Sequence, residues 1–127
     1  MTRNVQVKRI YEDASPKDGA RVLVDRLWPR GISKDRAQLT LWDKEVAPST
    51  ELRKWYGHDP ARFEEFQKRY KDELSSGEQT DGYLRLQELA RKGPLTLLTA
   101  SKAVEISEAT ALQKLLNGSW NPNENDE

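Results

Sequence analysis

The chain has 127 residues, a formal net charge of +0, 35% apolar and 33% charged residues, and no cysteine. This length suits one domain with a single core, and the lack of cysteine excludes a thiol nucleophile, a thiolate metal site and a disulfide framework. The balanced charge gives no bulk attraction for a polyanion.

VQVKRIY (Val5 to Tyr11) alternates apolar and polar residues, the pattern of a half-buried strand. EDASPKDG groups Ser15, Pro16 and Gly19 in a turn. ARVLVDRL follows as a second strand, rich in valine and leucine and so expected at the sheet centre. WPRG ends it, because proline removes a ladder donor. SKDRAQL predicts a short helix capped by Ser33, and LTLWDKEVAP a third extended segment. TELRKWYG predicts a helix capped by Ser49 or Thr50 and stopped by Gly57. In DPARFEEFQKRYKDEL, Asp59 is an N-cap, Pro60 takes the first helical position, and Phe63, Phe66, Tyr70 and Leu74 share a face. Trp55 and Tyr56 are assigned to the core with them. SSGEQTDG is expected as a loop. Tyr83 to Arg91 then forms a helix stopped by Lys92, Gly93 and Pro94. LTLLTAS is a continuous apolar run, as in a buried parallel strand. A last helix runs from about Val104 to Leu116 and stops at Asn117 and Gly118.

This order predicts an α/β fold: a single three-layer domain over residues 1–118, with a mostly parallel sheet and helices on its faces. Residues 119–127 are expected as a disordered polar tail. No apolar run reaches the roughly 20 residues that span a bilayer. The N-terminus has no signal-peptide apolar region, so the expected location is cytoplasmic. Zero net charge does not fix an oligomeric state.

In parallel sheets ligands sit beyond the carboxyl ends of the strands. DRLWPRG and TASK both leave predicted strands at such an end. Arginine grips carboxylate or phosphate through two parallel hydrogen bonds, so Arg26 and Arg30 are candidate anion ligands. Trp28 offers a stacking face, and Asp25 would orient an arginine or hold a hydroxyl. Strand alternation would place Asp25 and Arg26 on opposite faces. The structural alternative is that Asp25–Arg26 or Asp43–Arg30 ion pairs pin the sheet to its loops. Lys102 would add a point charge near the last helix N-terminus, or else stand solvated in a loop.

For catalysis the candidates are Asp25, Asp43, Glu45 and His58. Asp43 and Glu45 lie on one side of the third extended segment, where an acid–base pair is conceivable; the alternative is an exposed strand edge. Ser49 lacks a nucleophile elbow and reads as a helix cap. His58 is the only histidine; it suits a general base or a loop contact to Asp59. One histidine and no cysteine argue against zinc, and no motif identifies a cofactor. Arg26, Trp28, Arg30, Lys34 and Arg36 mix charge with an aromatic, but they form no dense basic run, which argues against nucleic acid.

VLVDRLWPRGIS, LWDKEVAPSTELRKWYGHDP, the F-x-x-F-x-x-x-Y-x-x-E-L helix and LTLLTASK together resemble the YeaO-like branch of the domain of unknown function 488 (DUF488) family. The likeness covers roughly Val7 to Leu116 and implies a single α/β domain. Lys102 is retained from the family pattern. Where YeaO-like chains carry Asn-His-Ala at the start of the last helix, this chain has Ser107, Glu108 and Ala109. Thr99 stands where a more distant branch places a cysteine. These departures imply a pocket kept without the reaction. The resulting expectation is a protein that binds a small anionic or phosphorylated molecule, nucleotides included. A hydrolase built on the Asp and Glu candidates, and a protein- or nucleic-acid-interaction module, are the alternatives.

Overall fold

In the computed structural model, which describes residues 5–123, the alternating VQVKR segment forms β1 (Val5–Arg9) and ARVL forms β2 (Ala20–Leu23). Between them Ser15 caps a 3-10 turn over Pro16–Asp18 in a reciprocal capping box. Gly19 follows at φ 65°, a conformation that suits glycine, with its backbone tight against Pro94. A one-turn helix α1 (Lys34–Ala37), capped by Ser33, leads to the two-residue strand β3 (Leu41–Trp42). Helices α2 (Thr50–Tyr56), α3 (Phe63–Glu73) and α4 (Glu78–Lys92) then precede β4 (Leu95–Thr99), and α5 (Glu108–Asn117) closes the fold.

The four-stranded sheet has the order β1-β4-β2-β3, and every pairing is parallel. β4 is buried along its whole length between β1 and β2, which explains its unbroken apolar sequence. The chain is thus the expected single α/β domain, with layers of unequal thickness. Val22, Val24, Leu95 and Leu97 face the main core, which includes residues of α2 through α5. Leu23 and Leu98 face a smaller cluster with Ile32 and Ala37, flanked by Trp28 and Trp42. On that side the covering layer is a loop and the single turn of α1.

Several boundaries differ from the sequence expectation. β1 stops at Arg9 and β2 at Leu23, although Val24 N still donates to Leu98 O at 3.1 Å. The third extended segment pairs only at Leu41–Trp42, and Lys44–Val46 is a 3-10 turn. The charge alternation of Asp43, Lys44 and Glu45 reflects an ion pair to α4 rather than a strand edge. α4 begins at Glu78, inside the expected loop. Its first turn is polar because Glu78 and Asp81 are exposed and suit a helix N-terminus, while the half-buried Gln79 and Thr80 donate hydrogen bonds to Ala47 O and Leu74 O. The last helix starts at Glu108, after a 3-10 turn over Val104–Ile106. Beyond Gly118, Trp120 stands edge-on to Tyr83 at 5.1 Å, and its carbonyl accepts from Tyr83 Oη at 2.7 Å. Residues 124–127 of the expected tail lie outside the described residues.

Candidate functional site

β2 and β4 are parallel neighbours, so their carboxyl ends open at the same edge of the sheet. Asp25 is the first residue past the last ladder bond of β2. Its side chain crosses to the end of β4: Oδ1 accepts from Thr99 Oγ1 at 2.8 Å and Oδ2 from Ala100 N at 2.8 Å. Its carbonyl accepts from Trp42 Nε1 at 2.8 Å. Both ends of Asp25 are therefore fixed by neighbouring strands.

A cavity of about 470 Å³ opens above this junction. Asp25, Thr99 and Glu108 lie at its floor, against the aromatic rings of Tyr56 and Phe66. Trp28 and Pro29 line one wall, and Ala47 and Pro48 also contribute. The solvent-exposed side chains of Arg26, Arg53 and His58 form the rim. β-Strand alternation does not separate Asp25 from Arg26, because β2 has already ended; both side chains line the cavity.

Glu108 is the first residue of α5, after the N-cap Ser107. Its carboxyl lies near enough to that of Asp25 for the two to interact. Burial drives the Glu108 proton affinity well above the usual carboxyl range, and the charge of Asp25 adds to the effect. Among the described residues no N–H or hydroxyl donor reaches the buried Oε2 of Glu108. Tyr56 is held as a donor: its hydroxyl bonds to Ile106 O at 2.7 Å, and burial pushes its ionisation up to about 12.

Of the residues singled out from sequence, Asp25, Arg26, Trp28 and His58 meet at this cavity. Trp28 is a wall rather than a free stacking plate. Its Nε1 donates to Ile32 O at 2.8 Å, and its ring stands edge-on to Trp42 at 5.4 Å. His58 sits at φ 56° with its ring tilted against Tyr56 at 5.8 Å. Arg30 and Lys102 are exposed and do not line the cavity. Asp43 and Glu45 lie apart from it and pair with Arg85 of α4. Burial pushes the Asp43 carboxyl up to about 6, an effect that Arg85 partly offsets.

Ser49 caps α2 by accepting from Leu52 N at 3.1 Å, while its own hydroxyl donates to Glu73. It borders a second hollow of about 490 Å³ that shares Arg26 with the first. Among the described residues no group of three or more histidine or acidic side chains is placed to hold a metal ion, and no helix is long and apolar enough to cross a membrane.

Sequence reasoning did not assign Arg53 or the pairing of Glu108 with Asp25. Arg53 resembles any solvent-facing helix arginine and carries no local signal. Glu108 had one: it occupies the position where the resemblance puts a histidine.

The family described as the inactive DUF488-N3 subclade matches residues 4–127. An uncharacterised protein of Mycobacterium tuberculosis is 48% identical over 114 residues, covering 90% of this chain and 94% of the relative. The uncharacterised protein YeaO of Escherichia coli is 46% identical over 109 residues, covering 86% and 93% respectively. No solved structure matches the chain significantly.

Proposed function

The chain belongs to the DUF488 family, as a YeaO-like member of the inactive DUF488-N3 subclade, and from that premise we propose that it is a cytoplasmic protein that binds a small anionic or phosphorylated molecule without transforming it. The observation that carries this reading is the cavity at the ends of β2 and β4, with the guanidinium groups of Arg26 and Arg53 at its rim. Arginine forks suit carboxylate and phosphate. The volume falls within the range of small-molecule sites. In this reading Arg53 takes the place that sequence had given to Arg30 and Lys102.

The subclade's description as inactive supports binding without turnover, and so does the local chemistry. Asp25 is already engaged by Thr99 and Ala100, which suits a structural and recognition role.

The test is a thermal-melt screen of the wild type, Arg26→Ala and Arg53→Ala against sugar phosphates, nucleotides, carboxylates and short single-stranded oligonucleotides. A ligand at about 100 times its dissociation constant adds roughly 2.7 kcal/mol to native stability. The expected result is a rise for a small anion that each alanine variant reduces. A rise confined to oligonucleotides, or equal shifts in all three proteins, would refute the proposal.

A further inference from the structure

We infer, resting on the anion-binding reading, that the ligand of this cavity also carries a basic nitrogen, whose ammonium group seats between the carboxyls of Asp25 and Glu108. The ligand class is then zwitterionic: phosphate or carboxylate at Arg26 and Arg53, and an amine at the floor.

The cavity is polarised from mouth to floor. Two guanidinium groups stand at its exposed rim, and the half-buried Asp25 and Glu108, with the buried Oε2 of Glu108, lie deeper. A purely anionic molecule long enough to fill the space would bring its far end against acids. The donor and acceptor inventory of the floor indicates what belongs there. Each Asp25 oxygen already accepts one hydrogen bond. The buried Oε2 of Glu108 accepts none from the surrounding protein. An unsatisfied buried acceptor calls for a donor, and an ammonium group brings three, enough to engage both carboxyls at once. A hydroxyl brings one donor and no charge, and so leaves the two acids facing each other.

The other ionisable groups that face the pair are Arg26 beyond β2, Arg53, Tyr56 and His58 from α2 and its C-terminal turn, and Tyr70 from α3. The end of β4 adds the hydroxyls of Thr99 and Ser101. Without ligand, burial keeps the Glu108 carboxyl protonated. When the ammonium enters, it replaces that proton, which leaves to solvent. No covalent bond of the ligand is made or broken. Binding of a zwitterion thereby releases up to one proton, whereas binding of a matched anion without the amine releases none.

The experiment uses two matched pairs of probes: glucosamine 6-phosphate against glucose 6-phosphate, and phosphoethanolamine against ethyl phosphate. Titration calorimetry in buffers of different ionisation heat reads affinity and proton release together. The expected result is that one amine-bearing probe binds at least about ten-fold tighter than its partner and releases close to one proton. Its affinity should fall by about ten-fold for each pH unit lowered below the titration of Glu108, as proton linkage requires. Glu108→Gln, which keeps the side-chain shape, should abolish both the preference and the proton release while remaining folded by circular dichroism. Equal binding of both members of each pair, without proton release, overturns this inference and leaves the anion-binding reading standing. A preference that survives in Glu108→Gln places the amine elsewhere and also overturns it. Binding of none of the four probes removes both.

Discussion

Two buried carboxyls in this molecule, Asp43 and Glu108, hold protons more tightly than usual, and burial is the leading cause at both. At Asp43 the cause is burial, only partly offset by Arg85. A native state that binds the proton more tightly than the unfolded chain is favoured by that proton. The Asp43 contribution is therefore complete below about pH 4 and is lost as pH rises through about 6, a swing of about 2–3 kcal/mol. The melting temperature of the wild type relative to Asp43→Asn should accordingly fall between pH 4 and 7. A difference that stays flat with pH would refute this. Glu108 has the same sign: the wild type should lose stability relative to Glu108→Gln as pH rises beyond the usual carboxyl range. Asp18 runs the other way. Burial opposes its charge, but hydrogen bonds from Ser15 N, Lys8 and Arg21 hold its carboxyl below the usual value. Its contribution is present at neutral pH and lost in acid. Asp25 was legible as a site residue because a strand-end acid beside arginine is a local pattern. Its partner Glu108 was not, because the pairing depends on how α5 docks beside β4, and no periodicity records that.

At the scale of elements, α4 packs closely against the 3-10 turn over Lys44–Val46. A Cβ on Gly82 would lie 2.9 Å from Val46 Cβ and 3.0 Å from Asp43 Oδ1. Helix propensity favours alanine at such a position by about 1 kcal/mol, but overpacking costs about 1–3 kcal/mol. Gly82→Ala should therefore lower stability by up to about 2 kcal/mol in denaturant melts, and a stabilised variant would show that the turn yields. Ser49 joins α2 to α3 by capping Leu52 N and bonding to Glu73. Ser49→Ala should cost about 1–2 kcal/mol, measured the same way, with little change in ligand affinity. Amphipathic α3 and apolar β4 were readable from sequence because burial sets their period directly. The segment after Trp42 was not, because the acids that looked like strand alternation answer to Arg85, far along the chain. The start of α4 was hidden for another reason: a polar first turn has the composition of a loop.

For the molecule as a whole, a protein of this charge balance and unbroken apolar β4 had to place one strand deep in a parallel sheet, and that much was legible. The order of the strands was not, since pairing partners leave no mark on a single sequence. Trp120 shows how far the packed unit extends. Its ring meets Tyr83 and its carbonyl serves Tyr83 and Gln87. Trp120→Ala should lower the denaturation midpoint by an amount worth about 1–3 kcal/mol, and an unchanged midpoint would mean that the segment contributes no stability.

The strand order β1-β4-β2-β3 also bears on how the protein is made. β1 and β2 leave the ribosome early and are never neighbours, because the strand that joins them is translated after α4. Until Leu95–Thr99 emerges, β1 has no strand to pair with and the cavity has no complete floor. Acquisition of structure during synthesis should then be abrupt and late. The exposed valines of the first two strands would pass that interval as a substrate for chaperones.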